Sequence, residues 1–317
     1  MLRTFAKIEA NKLLLRENSI PEEIIDNFRR KSLLKSSLFS AAIEGNTMTL
    51  SQAEQLPENT SAKEQLEVVN ILRAFSFLQH TQNPSINRDF ILQLHGFVMK
   101  DLAEKANLGK LRMEPSAIFN EAGFAVYVAP PPSDIPILLE QLIQFINSET
   151  EQNIPIRAIL SHFLFEKIHP FLDGNGRVGR LLLQTILAKE AYHFHWLLSF
   201  EEILNERKSE YYGNLDTADP TAFTEFMLEV LFQSSEQVTQ LIHRGRFNKE
   251  DMLLPRRNEL LLLIREQQIL SLDSIKRRFL KVPERTLRYD LQQLQKEGYI
   301  LKVGATRGAM YRARNNF

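Results

Sequence analysis

The residues best suited to chemistry lie in one short stretch, HPFLDGNGRVGR, at positions 169 to 180. It places three glycines within six positions, although the 317-residue chain contains only 12. His169 can take up a proton near neutral pH, and Asp173 offers a hard oxygen ligand suited to Mg²⁺. Arg177 and Arg180 are three positions apart, so a helix would carry both charges on one side. These residue types suggest a site that binds a polyanion and moves a proton.

Two predicted helices, near 155–168 and 177–191, flank this stretch. Pro170 disfavours helix at His169, so HPFLDGNG is expected to be a loop. The second helix would begin near Gly176 with unpaired N–H groups and a partial positive charge, which suits an anion. Glycines let a backbone approach a phosphate closely. Arginines at a helix start oppose its dipole, and a bound polyanion would resolve that conflict. The residues alone also permit a plain connection beside a packed histidine.

This stretch resembles the signature HPFxxGNGRxxR of the Fic (filamentation induced by cAMP) family at every fixed position. The likeness covers roughly residues 30–245. It includes a hairpin-like segment at 116–129 before three prolines, the LHGFVM segment around His95, and YYGNLDTADPTAF. The resemblance implies a mainly α fold, a Fic-type helical bundle with a small β-hairpin flap.

The family resemblance implies adenylylation, the transfer of AMP from ATP to a Ser, Thr or Tyr hydroxyl of a target protein. By this resemblance, His169 would be the catalytic base and Asp173 would hold Mg²⁺. Arg180 would reach the γ-phosphate, and the Asn175 side chain would help to hold phosphate. The expected ATP contacts in the loop are Gly174, Asn175, Gly176, Arg177, Val178, Gly179 and Arg180. ATP and Mg²⁺ are therefore the expected cofactors.

Two further segments acquire roles from the same resemblance. The hairpin at 116–129 would hold the target by main-chain pairing, like an added strand, with Ile118, Phe119 and Val126 at its edge. Tyr211 and Tyr212 would line the adenine pocket. A surface hairpin and a core tyrosine are the alternatives that the residues leave open.

A second motif, SAAIEGN, occupies residues 40–46. Gly45 suits the position just after a helix, so Glu44 falls in the last turn, where the dipole disfavours an anion. Alone, Glu44 is explained as a solvated surface residue. Beside the Fic signature, Ser40, Glu44 and Gly45 resemble the family's inhibitory motif [ST]xxxE[GN]. The resemblance implies that Glu44 pairs with Arg180 and occupies the place of the γ-phosphate.

The last part of the chain is basic. From Arg256 onward there are 14 Lys and Arg against 6 Asp and Glu, although the whole chain has net charge +0. Helices predicted at 258–267, 272–280 and over VPERTLRYDLQQLQKEG, followed by a hairpin from YILKVG and AMYRAR, resemble a winged helix-turn-helix domain. That likeness implies a third helix in the DNA major groove and a wing on phosphates, whereas other winged helices dock proteins or dimerise. The expected DNA contacts are Arg285, Thr286, Arg288 and Tyr289 on the helix, with Lys302, Arg307 and Arg312 in the wing.

The sequence thus predicts three regions. Residues 1–85 form an N-terminal helical region with the inhibitory helix, 86–250 the Fic catalytic core, and 256–317 the winged-helix domain, after a boundary near 245–256. Apolar periodicity predicts the other helices at 21–44, 51–57, 61–80, 88–104, 134–148, 207–217 and 221–244.

Composition excludes several classes of protein. The absence of cysteine excludes disulfides and thiolate chemistry. Neither a signal peptide nor a membrane span is recognisable, so a cytoplasmic location without membrane partners is expected. The target's identity and the direction of the reaction stay open. The alternatives are AMP removal, transfer of another phosphate-linked group, and a DNA-binding regulator with a Fic sensor domain. A homodimer is one oligomeric state that exposed helices would permit.

Overall fold

The computed structural model describes residues 1–17, 22–57, 60–81, 84–119, 125–243, 253, 255–280, 282–304 and 309–314. The chain divides into two compact units. The first comprises Met1–Ile20 and Phe28–His243, and the second comprises Pro21–Asn27 and Arg244–Phe317. Among the described helices, none combines the length and the apolar character that a membrane span requires.

The first unit is mainly helical, as the sequence predicts. Its helices are α1 (Leu2–Glu17), most of α2 (Glu22–Ile43), α3 (Leu50–Ala53), α4 (Lys63–His80), α5 (Arg88–Val98), α6 (Ile135–Asn147), α7 (Ile154–Ile168), α8 (Asn175–Ala188), α9 (Phe200–Glu206), α10 (Lys208–Leu215) and α11 (Thr221–His243). A short 3₁₀ turn, Phe194–Trp196, precedes α9. Strands β1 (Ala117–Phe119) and β2 (Ala125–Val128) form the one hairpin described in this unit.

Helices α7 and α8 form the centre of this unit. They pack against each other, and α4, α5, α6 and α11 pack around them. Pro155 lies in the first turn of α7, where its missing N–H breaks no helical hydrogen bond. In α8 every residue from Val178 to Leu187 is buried. The loop between the two helices is therefore held at both ends by elements of the core.

Several predicted helix boundaries are wrong. Helix α5 ends at Val98, not near 104, since Asp101 takes the left-handed backbone conformation with φ 58°. Helix α3 covers only Leu50–Ala53, and α8 ends at Ala188. Helix α1 was not predicted. It packs against α11, a tertiary contact that local periodicity does not reveal.

The predicted hairpin is present. Strands β1 and β2 are antiparallel, with Ala117 opposite Val128 and Ile118 opposite Tyr127. The pairing is irregular between Ile118 and Phe119. The side chains of Ile118, Phe119 and Val126, predicted at the docking edge, lie outside the described part of the structure.

The second unit contains helices α12 (Pro255–Gln267), α13 (Leu272–Arg278) and α14 (Glu284–Lys296) and strands β3 (Ile269–Ser271), β4 (Ile300–Val303) and β5 (Met310–Ala313). The three strands form an antiparallel sheet in the order β3-β5-β4. The β4–β5 hairpin was predicted, whereas β3 was not. The buried core includes Leu260, Ile264, Leu287 and Leu291.

The predicted DNA contacts lie on α14. Arg285, Arg288 and Tyr289 are exposed and Thr286 is half-buried. Arg288 donates to Glu284 Oε1 at 2.6 Å, so part of its charge is neutralised within the helix. In the sheet, Lys302 and Arg312 are exposed, and Arg307 lies outside the described residues.

Candidate active site

A cavity of about 620 Å³ opens beside the 169–180 loop. Five parts of the first unit surround it: the end of α2, strand β2, the end of α7, the loop with the start of α8, and α10. The lining residues are Ile43, Glu44, Gly45, Tyr127, Glu166, Lys167, His169, Leu172, Asp173, Gly174, Asn175, Gly176, Arg180, Lys208, Ser209, Tyr211, Tyr212, Gly213, Leu215 and Asp216. The loop and the SAAIEGN segment, 123 residues apart between Asn46 and His169, thus meet at one site.

The loop is closed by Asn175 and Phe171. The Asn175 side chain accepts from the Phe171 N–H at 2.9 Å and donates to the Phe171 carbonyl at 2.8 Å. Phe171 is fully buried and stacks on His95, with ring centroids 4.0 Å apart. Both polar groups of the Asn175 side chain thus bind the loop backbone, and its expected contact with phosphate stays a prediction.

His169 sits at the turn between α7 and the loop. Its backbone is left-handed, with φ 49° and ψ 61°, a conformation that costs a non-glycine residue about 1–3 kcal/mol. Burial lowers the pKa of its imidazole, and the Glu166 backbone carbonyl opposes that shift. The ring is therefore neutral at neutral pH and able to accept a proton.

Asp173 lies at the edge of the cavity with 70% of its side chain exposed. Its Oδ1 accepts from the Gly174 N–H at 2.5 Å and from Arg177 Nη2 at 2.8 Å. Arg177 also lies 4.0 Å from Glu67 Oε1. Among the described residues, no group of three or more His, Cys, Asp or Glu could hold a metal ion. One exposed carboxylate at the edge of this cavity still fits Mg²⁺, which often binds through one or two carboxylates and the substrate's phosphates.

Arg180, which is buried, forms an ion pair with Glu44 of the SAAIEGN segment, whose side chain is 33% exposed. Arg180 is 1% exposed. Its Nη2 donates to Glu44 Oε1 and to the Ser40 carbonyl, each at 2.8 Å, and its Nε donates to Ser40 Oγ at 3.0 Å. Burial alone would lower the pKa of Arg180, but the nearby Glu44 carboxylate reverses this and the pKa rises. The predicted pairing of Ser40 and Glu44 with Arg180 is thus present.

The carboxylate of Glu44 occupies the opening left by Gly176. A side-chain carbon at Gly176 would overlap Glu44 Oε1 and would lie 3.0 Å from Arg180 Nη1. That Nη1 is buried and has no hydrogen-bond partner among the described residues. Gly174, which precedes α8, has φ 83°, a backbone conformation that favours glycine. An anion therefore already lies at the start of α8, where helix geometry favours one.

Three of the predicted ATP contacts do not line the cavity: Arg177, Val178 and Gly179. The other predicted contacts do. Val178 is fully buried. A side-chain carbon at Gly179 would overlap Glu166 Oε1 and lie 2.8 Å from His162 Nδ1. The glycine lets α8 approach two buried polar residues of α7, so its role in this structure is packing.

Tyr211 and Tyr212, predicted to line the adenine pocket, both line this cavity. Tyr211 is 1% exposed, and its hydroxyl is 2.8 Å from His162 Nε2. Tyr212 is 40% exposed, and its hydroxyl donates to the Ile43 carbonyl at 3.4 Å. Tyr211 therefore belongs partly to the core, whereas Tyr212 offers an accessible ring face.

Sequence reasoning gave no role to two residues that support the loop from outside it. Arg112 donates to the His169 carbonyl at 2.7 Å. His95 accepts from the Gly109 N–H at 2.9 Å, and its Nε2 is 3.2 Å from the Asp173 carbonyl. Of the two, only His95 carried a sequence signal, through the LHGFVM segment.

A third residue without a predicted role is Glu67 of α4. Its carboxylate faces Arg177 and accepts from Asn46 Nδ2 at 2.7 Å. Glu67 thus connects the end of the SAAIEGN segment with the start of α8. No local pattern marks it, because one glutamate on a charged helix face is ordinary.

Glu166 should make stability depend on pH. Burial raises its pKa to about 8, so folded Glu166 holds a proton that the unfolded chain loses near its ordinary pKa. Stability should fall as pH rises from about 4.5 to 8. Glu166→Gln keeps a neutral side chain of similar size and should lessen this fall by an amount on the order of a few kcal/mol. Urea unfolding at pH 5.5 and 8.5 measures it. Glu140→Gln, at an exposed position, is the control, and equal slopes for both variants and wild type would contradict the assignment.

Comparison with known proteins agrees with this geometry. Residues 85–187 match the sequence model of the Fic/DOC family. A protein adenylyltransferase Fic of Drosophila willistoni is 28% identical over 200 residues, which is 60% of this chain and 39% of that protein. Its counterpart in Drosophila virilis is 30% identical over 174 residues, or 52% of this chain and 34% of that protein. The chain thus spans well under half the length of these relatives.

Solved structures show the same fold. A Fic family protein from Desulfovibrio desulfuricans G20 aligns with a TM-score of 0.67 at 23% identity, covering 99% of this chain and 97% of that one. Fic-1 from C. elegans aligns with a TM-score of 0.60 at 23% identity, covering 77% of this chain and 72% of that one. Residues 85–187, which contain the 169–180 loop, are thus similar in sequence to the Fic/DOC family, and the solved structures share the fold around that loop.

Proposed function

We propose that the chain is a protein adenylyltransferase that moves AMP from ATP to a Ser, Thr or Tyr hydroxyl of a target protein. The carrying observation is the anion-binding opening at Gly176. A carboxylate fills it, and the buried Arg180 Nη1 beside it has no partner among the described residues. A phosphate with three acceptor oxygens would satisfy that donor, which a single carboxylate leaves unused.

The position of the base supports this assignment. His169 lines the same cavity as Gly176 and Arg180. In the proposed step, His169 takes the proton from the target hydroxyl, whose oxygen attacks the α-phosphorus of ATP. The bond from that phosphorus to the oxygen bridging the β-phosphate breaks, and pyrophosphate leaves. Arg180 neutralises charge on the departing group, and Asp173 would hold Mg²⁺. When bound, Mg²⁺ supplies further neutralisation of phosphate charge.

The rest of the cavity suits a nucleoside. Tyr211 and Tyr212 from α10 line it, and the accessible ring face of Tyr212 suits stacking on a base. The names of the two Drosophila relatives agree with ATP as the donor and a protein as the acceptor. The hairpin formed by β1 and β2 would hold the target's segment by main-chain pairing.

We further propose that the resting chain is autoinhibited. Glu44 holds Arg180 and occupies the opening at Gly176, so a triphosphate cannot place its terminal phosphate there. Ser40, four residues earlier on the same helix face, fixes the guanidinium through Nε. ATP would then bind with its α-phosphate out of line for attack.

The position of the label tests the reaction type. Purified Glu44→Gly protein would be incubated with cell lysate and ATP labelled at either the α- or the γ-phosphate. Transfer of AMP predicts protein labelled from α-labelled ATP and not from γ-labelled ATP, with pyrophosphate released. Label from the γ-position would indicate phosphoryl transfer, and the absence of label from either would contradict an adenylyltransferase.

A second proposal concerns the C-terminal unit, which we infer to be a winged-helix domain that binds DNA. Its three helices and the sheet order β3-β5-β4 support the fold. Arg285, Arg288 and Tyr289 are exposed along one helix, α14, and a recognition helix needs exposed side chains able to reach base edges and phosphates.

Arg285→Ala should weaken the binding of a double-stranded DNA fragment, because it removes a positive charge from the exposed side of α14. If Arg285 contacts a phosphate, the slope of log affinity against log salt should become shallower by about 1. Fluorescence anisotropy between 50 and 200 mM salt, roughly the range in which such contacts change affinity most, measures both. Arg88→Ala, an exposed arginine on α5, is the matched control. Equal binding by the two variants would contradict a DNA contact at Arg285, and no binding by wild type would contradict a DNA-binding domain.

A further inference from the structure

Arg112 is a buried cation with an unusual set of partners. It is 2% exposed. Its Nε donates to the His169 carbonyl at 2.7 Å, its Nη1 to the Glu114 carbonyl at 2.8 Å and its Nη2 to the Pro130 carbonyl at 2.6 Å. All three acceptors are neutral backbone groups, and no carboxylate forms an ion pair with Arg112 among the described residues.

The three carbonyls belong to three separate segments. Glu114 comes just before strand β1, Pro130 just after strand β2, and His169 is the proposed base. The Arg112 backbone N–H also donates to the Pro170 carbonyl at 2.9 Å. One planar guanidinium therefore fixes both ends of the hairpin to the residue that would deprotonate the acceptor.

A second contact joins the same two parts. The Tyr127 hydroxyl on β2 donates to the Lys167 carbonyl at 2.7 Å, two residues before His169. The Lys167 ammonium also lies 4.4 Å from the centre of the Tyr127 ring. Strand β2 is thus attached to the end of α7 independently of Arg112.

These contacts matter because of what they hold. The left-handed backbone of His169 persists only if its surroundings constrain it. A buried, unpaired charge is itself costly, so filling the core does not account for an arginine here. A rigid fork with five donors can join three carbonyls in one plane, whereas the single ammonium of lysine cannot.

We propose that Arg112 is a positioning residue that sets the distance and orientation between the target-holding hairpin and His169. This inference rests on the proposed function. Arg112 should matter for transfer to a protein acceptor, because the hairpin must hold that acceptor. It should matter less for reaction with water, which needs no hairpin. With water as acceptor, its oxygen attacks the α-phosphorus, AMP and pyrophosphate form, and the proton passes to His169.

The test compares the two acceptors in the Glu44→Gly background. The protein acceptor is a tagged second copy of the chain carrying His169→Ala, which cannot label itself through that base. Arg112→Lys should lower labelling of this copy from α-labelled ATP by roughly 10- to 100-fold, the cost of a misplacement near 1 Å. AMP release to water and the KM for ATP should change much less, because the bond from the His169 N–H to the Phe165 carbonyl, at 2.9 Å, still holds the base. Arg157→Lys is the matched control, because Arg157 also binds backbone carbonyls, at Glu151 and Ile146, far along α7.

A second variant distinguishes a positioning role from loss of activity through misfolding. Tyr127→Phe removes only the hydroxyl that reaches Lys167 and should shift the same ratio in the same direction by a smaller factor. Proportional loss of protein labelling and AMP release in both variants would overturn the positioning role, as would unchanged labelling in Arg112→Lys. If the Glu44→Gly parent labels neither these copies nor any protein of the lysate, the proposed function itself fails.

Discussion

Replacing Glu44 with glycine is expected to raise the rate of AMP transfer by roughly 10- to 100-fold, because a charged hydrogen bond of about 1.5–3 kcal/mol no longer holds Arg180. The substitution empties the opening at Gly176 and frees the Nη2 N–H that Glu44 accepts, while the contacts of Arg180 with Ser40 remain. The guanidinium would thus stay in place and become available to phosphate. Initial rates of labelling from α-labelled ATP, for variant and wild type side by side, measure the effect.

Two controls separate inhibition from a general change of charge. Glu44→Gln keeps the size of the side chain and should activate less than glycine. Glu54→Gln removes an exposed acid beyond the end of α3 and should change nothing. Labelling by Glu44→Gly no faster than by wild type would contradict autoinhibition. Loss of AMP from prelabelled protein with wild type, but not with Glu44→Gly, would instead assign Glu44 a role in the hydrolytic removal of AMP, in which water attacks the phosphorus and the protein hydroxyl leaves.

The sequence predicted the parts of the site that lie in contiguous motifs. The loop between α7 and α8 appears where Pro170 and the glycines indicate it. The pairing of Glu44 with Arg180 followed from a family resemblance, since a glutamate near a helix end has a simpler explanation by itself. The packing of the first unit determines the distance between the two motifs, and neither motif alone predicts it.

Contacts made through backbone atoms were beyond sequence reasoning. Arg112 donates to three backbone carbonyls. Every residue has a backbone carbonyl, so no pattern of side-chain types predicts these contacts. The amide of Asn175 also binds backbone atoms, those of Phe171, so side-chain patterns do not predict that contact either. The resemblance predicts Gly179 as an ATP contact, whereas its neighbours in the structure, His162 and Glu166, belong to another helix.

Helix α1 and strand β3 illustrate a second limit. Each is stabilised by a partner distant in sequence, α11 for the helix and β5 for the strand. Strand β3 has only three residues, too few for period-two alternation to be recognised. Local apolar periodicity therefore predicts most helices, whereas α1 and β3, which depend on tertiary contacts, are seen only in the structure.

His169→Ala, made in the Glu44→Gly background, is expected to lower AMP transfer by about 10²–10⁴-fold, the usual contribution of a general base. Binding of ATP should change little, because the opening at Gly176 and Arg180 does not depend on the imidazole. Initial rates and equilibrium binding of ATP, measured on the same preparations, separate the two effects. His80→Ala, at an exposed position of α4, is the matched control. Equal rates with and without His169 would remove it from the chemistry.

The pH profile of the Glu44→Gly protein tests the same base in a second way. Burial lowers the pKa of His169 below 6.5, so the ring is neutral above that pH and becomes protonated only in more acidic solution. Since a protonated imidazole cannot accept the proton of the target hydroxyl, kcat/KM should be level from about pH 7 upward and fall on the acid side. A rise in rate as pH drops below 6.5 would mean that His169 acts as an acid, and the proposed direction of proton transfer would be wrong.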